Sequence, residues 1–384
     1  MYLRWFLDTS FDTQRHDKMV RKNLLLTFVA LLKRGEGLVS SPLGSPFQRY
    51  FRFVSRQATA SAHFELLPVE RLGSEDGAPG YDGAQCLSPL IGHAYADYDS
   101  YFVRDGEAVI KSVIVNTAAS EAIPGPPTPC FERAGPRERL FFDPKKVVAA
   151  IVTCGGICPG LNTVVREIVH CLSNQYGVET IWGVPMGYRG FYEAAVADVN
   201  EDDGYMSWRR LTPDVVDQWH TLGGTMLGTS RGGHDAVRIV DALVARGVNQ
   251  VYIVGGDGTL RGASKVAEEA GKRGVPIGVA GVPKTVDNDI PIIDKSFGFE
   301  TAVQAAQAAI QAAKVEATCF PNGIGIVQLM GRNSGFIALH ATLGSRDVDC
   351  VLIPEIDFHV HGPDGLMVFL EQRLLDNGHA VRGH

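Results

Sequence analysis

VVAAIVTCGGICPGLNTVVREIVHCL, residues 147 to 172, changes hydrophobic pattern twice in one stretch. VVAAIVT, 147 to 153, is a continuous apolar β-type run, the pattern of a strand buried on both faces. A glycine-rich turn follows, and NTVVREIVHCL then carries the spacing of an amphipathic helix. Strand, loop and helix in that order form the building unit of a parallel sheet covered by helices.

The same alternation continues downstream. TIWGV at 180 to 184 predicts a strand, and TPDVVDQW from 212 predicts a helix start, with Thr212 as N-cap and Pro213 at the first helical position. DAVRIVDALVARG, 235 to 247, predicts a helix closed by glycine. Then come QVYIVGG at 250, a helix over about 259 to 273, PIGVAGV at 276, an alanine-rich helix over about 300 to 316, GIGIVQLM at 323 and DCVLIPE at 349. The expected fold is α/β, with doubly wound parallel sheets whose ligands bind at the carboxyl ends of the strands. Residues 1 to 140 lack this alternation and include the proline-rich AIPGPPTPC at 122 to 130, so they read as a variable extension and connector.

Bulk properties narrow the function. The chain has 384 residues, 45% hydrophobic and 21% charged, enough for a large core. With 36 Lys+Arg against 43 Asp+Glu, its net charge of −7 offers no general attraction to nucleic acid or anionic membrane. Seven cysteines, an odd number, do not form a disulfide framework and point to a reducing compartment. The apolar NLLLTFVALL at 23 to 32 is shorter than the roughly 20 residues a membrane helix needs. KRGEG follows it where a signal peptide would carry a small-residue cleavage site. The basic, serine-containing start is compatible with an organelle transit peptide, so the expected location is cytoplasmic, with the plastid as the alternative.

Three strand-end motifs carry the chemistry. TCGGICPGLN, 153 to 162, brings Gly155, Gly156 and Gly160 to a strand-to-helix turn where backbone N–H groups can approach an anion. Leu161 and Asn162 replace the Lys-Ser/Thr of a Walker A loop, and a simple tight turn is an equally good reading of this loop alone. VGGDGTLRG, 254 to 262, puts Asp257 between glycines at a strand end, where a carboxylate can hold Mg²⁺ beside phosphates. An ordinary Asp-Gly turn is its bland alternative. PKTVDND, 283 to 289, offers an ammonium, a hydroxyl and two carboxylates. Either Lys284 neutralises Asp287 or Asp289, or the group works on a phosphate and a hydroxyl.

In this order, GGDGT, PKTVDNDIPIIDKSFGF and MGRNSGF (330 to 336) resemble the phosphofructokinase family, and within it the ATP-using plant-type group. ERAGPRERLFFDP before the first strand, GYRGFYE at 187 to 193 and GGTMLGTSRGGHD at 223 to 235 extend the similarity over roughly residues 131 to 380. The resemblance implies an allosteric, glycolytic kinase that phosphorylates fructose 6-phosphate with ATP and Mg²⁺. It implies a nucleotide-binding domain over 141 to 297 and a sugar-phosphate-binding domain over 298 to 384.

By that resemblance Asp287 is the base for the sugar 1-hydroxyl, acting by position more than by strong basicity. Thr285, Val286 and Asp289 shape the same site, and Met330, Gly331 and Arg332 bind the sugar phosphate. Gly155, Tyr188, Arg231, Gly232, Gly256, Asp257, Gly258 and Thr259 match the nucleotide side, with Asp257 at the metal position.

Donor choice falls on Gly258 and Lys284. Pyrophosphate-using relatives carry Asp at the position of Gly258 and also place lysine at that of Lys284; glycine with lysine is similar to the plant-type ATP group. The family continues beyond the DNGHAVRGH stretch into segments that hold the sugar 6-phosphate, so the chain reads as C-terminally truncated, its second domain incomplete, with impaired turnover expected. A pyrophosphate-dependent enzyme and a non-catalytic subunit are the alternatives. A homo-oligomer, a tetramer in the family, is implied, with neither nucleic acid nor membrane as partner.

Overall fold

The computed structural model describes residues 27–31, 64–66, 86–92, 101–104, 107–110, 128–193, 195–196, 207–290 and 293–380. The chain forms two compact units, Val39–Lys284 and a second made of Met1–Leu38 with Thr285–His384. Most of the expected N-terminal extension, including 122 to 127 of the proline-rich segment, lies outside the described residues.

The strands are, in chain order, β1 (Thr27–Leu31), β2 (Phe64–Leu66), β3 (Cys86–Leu87), β4 (Ala108–Ile110), β5 (Thr128–Glu132), β6 (Arg139–Leu140), β7 (Val148–Thr153), β8 (Thr180–Val184), β9 (Ala195–Val196), β10 (Ser207–Arg210), β11 (Gln250–Gly255), β12 (Gly278–Pro283), β13 (Gly325–Leu329) and β14 (Cys350–Leu352). Short sheets β2-β5-β4 and β3-β6 precede the main sheet of the first unit, whose order is β12-β11-β7-β8-β10-β9. Strands β12, β11, β7 and β8 run parallel, while β10 is antiparallel to β8.

The continuous apolar run at 147 to 153 is explained by two-sided burial. Ala150 and Val152 point into a core with Ile239, Leu243, Ile253 and Val266. Ala149 and Ile151 alternate with them into a second core with Val165, Val169, Leu211 and Trp219. Helices Leu161–His170, Ala236–Ala245 and Asp257–Lys272 supply these opposing walls. Asp235 caps the second by accepting from the Arg238 N–H at 3.1 Å.

Thr212 is the N-cap expected, accepting from the Val215 N–H at 3.3 Å with Pro213 following, but the helix is a single turn, Pro213–Val216. Buried Trp219 pulls the chain into a 3₁₀ turn directly after it. The helix expected from 259 starts at Asp257 instead, with Gly256 as N-cap.

In the second unit, helices Phe299–Thr318 and Phe336–Ser345 pack on a sheet of order β13-β1-β14. Phe299, Ile310, Val327, Ile337 and Ala341 form its core. Strand β1 lies within the apolar 23 to 32 run, to which the sequence pattern assigned no strand; it pairs antiparallel with both neighbours.

Ile253 is fully buried in the centre of β11. Ile253→Ala removes its contacts and leaves a cavity, and is expected to cost about 2–5 kcal/mol. Urea denaturation followed by tryptophan fluorescence checks this, because Trp182, Trp208 and Trp219 all belong to the first unit; an unchanged midpoint would contradict the packing described.

Candidate active site

The carboxyl ends of β7, β11 and β12 build one corner of the first unit. The Cys154 N–H donates to the Val254 carbonyl at 2.8 Å, and the Lys284 N–H donates to the Gly255 carbonyl at 2.9 Å. These bonds carry the strand pairing just past the sheet and fix where each loop begins. The loop from 223 to 235 is laced onto the same corner. Thr153 Oγ1 donates to the Gly228 carbonyl at 2.7 Å and Thr229 Oγ1 to the Gly155 carbonyl at 2.7 Å, while the Gly155 N–H donates to Ser230 O at 3.0 Å.

Gly155 adopts φ 83°, a left-handed conformation that favours glycine. A Cβ on it would lie 3.9 Å from Lys284 Nζ and 4.0 Å from Thr259 Oγ1. Three residues from three separate motifs therefore meet at one point. Lys284 is only 5% exposed. Burial pushes its ammonium below the usual lysine range; Cys158 and Cys154 oppose that shift and Arg231 adds to it. Burial also pushes the Cys154 thiol up to about 12, so it stays neutral at physiological pH. Among the described residues Lys284 forms no ion pair, which removes mutual neutralisation as its role.

The Asp257–Lys272 helix starts at this corner with Gly256 as N-cap, which supplies no capping side chain. Its positive dipole end and first amides suit an anion. Asp257 is exposed and pairs with Arg261 one turn along. Mg²⁺ takes one or two carboxylates together with phosphate oxygens and water, so Asp257 is a donor of the right kind. Among the described residues no cluster of three His, Cys, Asp or Glu offers an all-protein metal cage.

The glycines here differ in what demands them. A Cβ on Gly255 would lie 2.4 Å from the Thr259 side chain, and one on Gly262 would lie 2.7 Å from His234. At Gly258 a Cβ would meet nothing within 4 Å. Packing does not require this glycine, although glycine in a helix costs about 1 kcal/mol relative to alanine.

Tyr188 is buried, and its hydroxyl donates to the Thr259 carbonyl at 2.6 Å; burial pushes the phenol up, so it remains a donor. Its ring packs edge-on against His234, which bonds the Gly262 carbonyl at 2.9 Å. Tyr188 thus braces the helix start. Arg231 and Gly232 lie in the loop from 223 to 235, with Arg231 exposed and Gly232 at φ 77°.

The second unit begins at Thr285, and its loop is held from inside. The Thr285 N–H donates to Ser296 Oγ at 3.2 Å, and Thr285 Oγ1 donates to Asp289 Oδ1 at 2.8 Å while accepting from the Asp287 N–H at 3.3 Å. Val286 packs onto the core of Phe299 and Val327. Asn288, at φ 54°, accepts from the Ser296 N–H at 2.7 Å, and Ser334 Oγ donates to the Asp287 carbonyl at 3.0 Å.

The Asp287 carboxylate is half-buried, and burial raises it above the usual aspartate range. Nearby Asp289 raises it further; the Arg332 backbone N–H, bonded to the carboxylate, and the Arg332 guanidinium pull it down. Met330 is exposed, Gly331 sits at φ 139°, and Arg332 projects from the same segment. The structure thus brings Thr285, Asp287, Asp289 and Arg332 together. Burial adds some basicity to Asp287, for which position more than strong basicity was expected.

Residues 148–378 match the model of the family described as Phosphofructokinase. The chain belongs to the phosphofructokinase family. It is 53% identical over 288 residues to an ATP-dependent 6-phosphofructokinase 1 from Arabidopsis thaliana, covering 75% of this chain and 57% of that one. It is 46% identical over 289 residues to an ATP-dependent 6-phosphofructokinase from Borreliella burgdorferi, covering 75% and 62%. The chain thus spans 57% to 62% of the length of these curated relatives. A solved pyrophosphate-dependent phosphofructokinase from Marinobacter aquaeolei is 24% identical, with a TM-score of 0.48 over 60% of this chain and 58% of that one. The doubly wound α/β fold and the phosphofructokinase motifs coincide in the matched region.

Ser296, Asn288, Ser334 and Glu355, which accepts from the Gly335 N–H at 2.8 Å, were not singled out from the sequence. Ser296 and Ser334 stood inside the quoted KSFGF and MGRNSGF segments, so a serine with a glycine one or two residues on was the available signal.

Because the fold favours protonated Asp287, the stability this group contributes is present below the ordinary aspartate pKa and is lost as pH rises through the folded value. Asp289→Asn is expected to lower the Asp287 pKa toward the ordinary range, read by carboxyl ¹³C NMR titration; an unchanged or higher value would contradict the electrostatics. For Lys284 the sign is opposite: its contribution is present above the ordinary lysine pKa and is lost as pH falls through the folded value. Lys284→Met should therefore raise the urea midpoint of the ligand-free protein near neutral pH, and a lower midpoint would contradict desolvation as the dominant effect.

Proposed function

We propose that this phosphofructokinase-family chain transfers the γ-phosphoryl group of ATP to the 1-hydroxyl of fructose 6-phosphate. The observation that carries the reading is the open direction at Gly258, at an uncapped helix start beside Asp257 in a unit that also holds the buried ammonium of Lys284. An aspartate side chain there would put bulk and negative charge over the phosphate-binding helix end, whereas glycine leaves room for a nucleotide's α-phosphate. Similarity to relatives named ATP-dependent supports the same donor.

In this reading Gly155, Gly256, Gly258 and Thr259 cradle the nucleotide phosphates, with Arg231, Gly232 and the braced Tyr188 completing that side. Asp257 would hold Mg²⁺, which when bound neutralises charge on the phosphate oxygens. Lys284 presents its ammonium to phosphoryl oxygens, which would restore the full charge that burial disfavours. Asp287 orients the sugar 1-hydroxyl and accepts its proton as the oxygen bonds to phosphorus and the bond to ADP breaks. Thr285 and Val286 shape the loop, Asp289 fixes the Thr285 hydroxyl, and Met330, Gly331 and Arg332 hold the sugar phosphate.

The proposal extends to a homo-oligomeric, allosterically controlled enzyme of the cytoplasm. A relative 52% identical is named chloroplastic, and it supports the plastid as the alternative.

Asp287→Asn is expected to lower kcat by about 10²–10⁴-fold with a smaller effect on KM. Gly258→Asp should depress turnover with ATP. A coupled steady-state assay with ATP, Mg²⁺ and fructose 6-phosphate checks both; undiminished turnover in Asp287→Asn would remove Asp287 from the chemistry.

A further inference from the structure

We propose that Thr27–Leu31 is a working strand of the second unit, an internal ligand of a strand-wide slot between β13 and β14 that holds the sugar-binding segment in place. The slot is visible in the pairing. Strands β13 and β14 are joined through the Phe336–Ser345 helix but are not neighbours; each pairs with β1. Both are antiparallel to β1 and so parallel to one another, with room between them for one strand.

All five residues of β1 have register partners on β13, and three have partners on β14. Without β1, two strand edges inside one small sheet would face each other unpaired, a costly arrangement for backbone N–H and C=O groups. The strand that prevents this comes from outside the family match, which starts at residue 148. Residues 27–31 of the apolar run acquire a role as sheet filler.

The pairing also reaches the site. Thr27 stands opposite Leu329, the last residue of β13, and Met330, Gly331 and Arg332 follow immediately. The Arg332 backbone N–H in turn bonds the Asp287 carboxylate. Strand β1 is thus a positioning element, acting through β13 on Arg332 and through Arg332 on Asp287. Only the sugar-binding consequence rests on the proposed kinase reading; the slot itself does not.

The register supplies a test that needs no substrate. Ala30 pairs with Cys350, so Ala30→Cys places an introduced thiol opposite a native one. Burial and nearby Asp349 raise the Cys350 thiol, so oxidation is run at alkaline pH. The expected result, on the full chain, is an intramolecular 30–350 disulfide identified by peptide mapping. Val29→Cys, whose β14 partner is Val351, should not form one to Cys350. No 30–350 link, or a link only between two chains, would overturn the proposal.

Independently, Val29→Pro removes an N–H from the middle of the strand. Hydrogen exchange should then show protection lost at Gly325–Leu329 and Cys350–Leu352 and retained at Gln250–Gly255 in the first unit. Unchanged protection at β13 and β14 would overturn the role of β1 whatever the chain's activity.

Discussion

The hydrogen bond from the Lys284 N–H to the Gly255 carbonyl, 2.9 Å long, is the constraint on which the site depends. It extends the β11 and β12 pairing one step past the sheet and so determines where Lys284 enters the corner already occupied by Gly155 and Thr259. One peptide bond later the second unit begins, with Thr285 tied to Ser296 and Asp289. A shift at this bond would move the buried ammonium away from Gly155 and Thr259.

The two ionisable groups on either side of that link have pKa values displaced in opposite directions by the same cause. Burial disfavours the ammonium of Lys284 and the carboxylate of Asp287 alike. In the proposed phosphoryl transfer each displacement would have a use. The lysine would gain from an arriving anion, and the aspartate would be a better proton acceptor than an exposed one. Arg332 limits the second effect by donating its backbone N–H to the carboxylate, so the loop is tuned rather than simply desolvated.

Most of the first unit was legible from sequence because its signals are local. The run at 147 to 153 reads as a two-sided strand since its alternate residues feed two cores, and Thr212 and Asp235 cap helices as their types dictate. The length of the helix after Thr212 was not legible, since burial of Trp219 ends it and burial is a tertiary event. Strand β1 was missed for a similar reason: a short apolar run carries no sign of which distant edge it will join. At the site, motif spacing pointed to the residues but not to their partners. That Lys284 stands apart from ion pairs, and that Tyr188 braces Thr259 through its carbonyl, emerges only when the loops are folded against each other.

The proposed reaction requires that the glycine corner accept a nucleotide and that the aspartate loop direct its γ-phosphoryl group to a sugar hydroxyl. The most direct measurement is ³¹P NMR of the unmodified protein incubated with Mg²⁺ and fructose 6-phosphate, in parallel with ATP and with pyrophosphate. The proposed reaction yields ADP and a new phosphate ester at the sugar 1-position with ATP and none with pyrophosphate. A new ester only with pyrophosphate, or none with either donor, would contradict it.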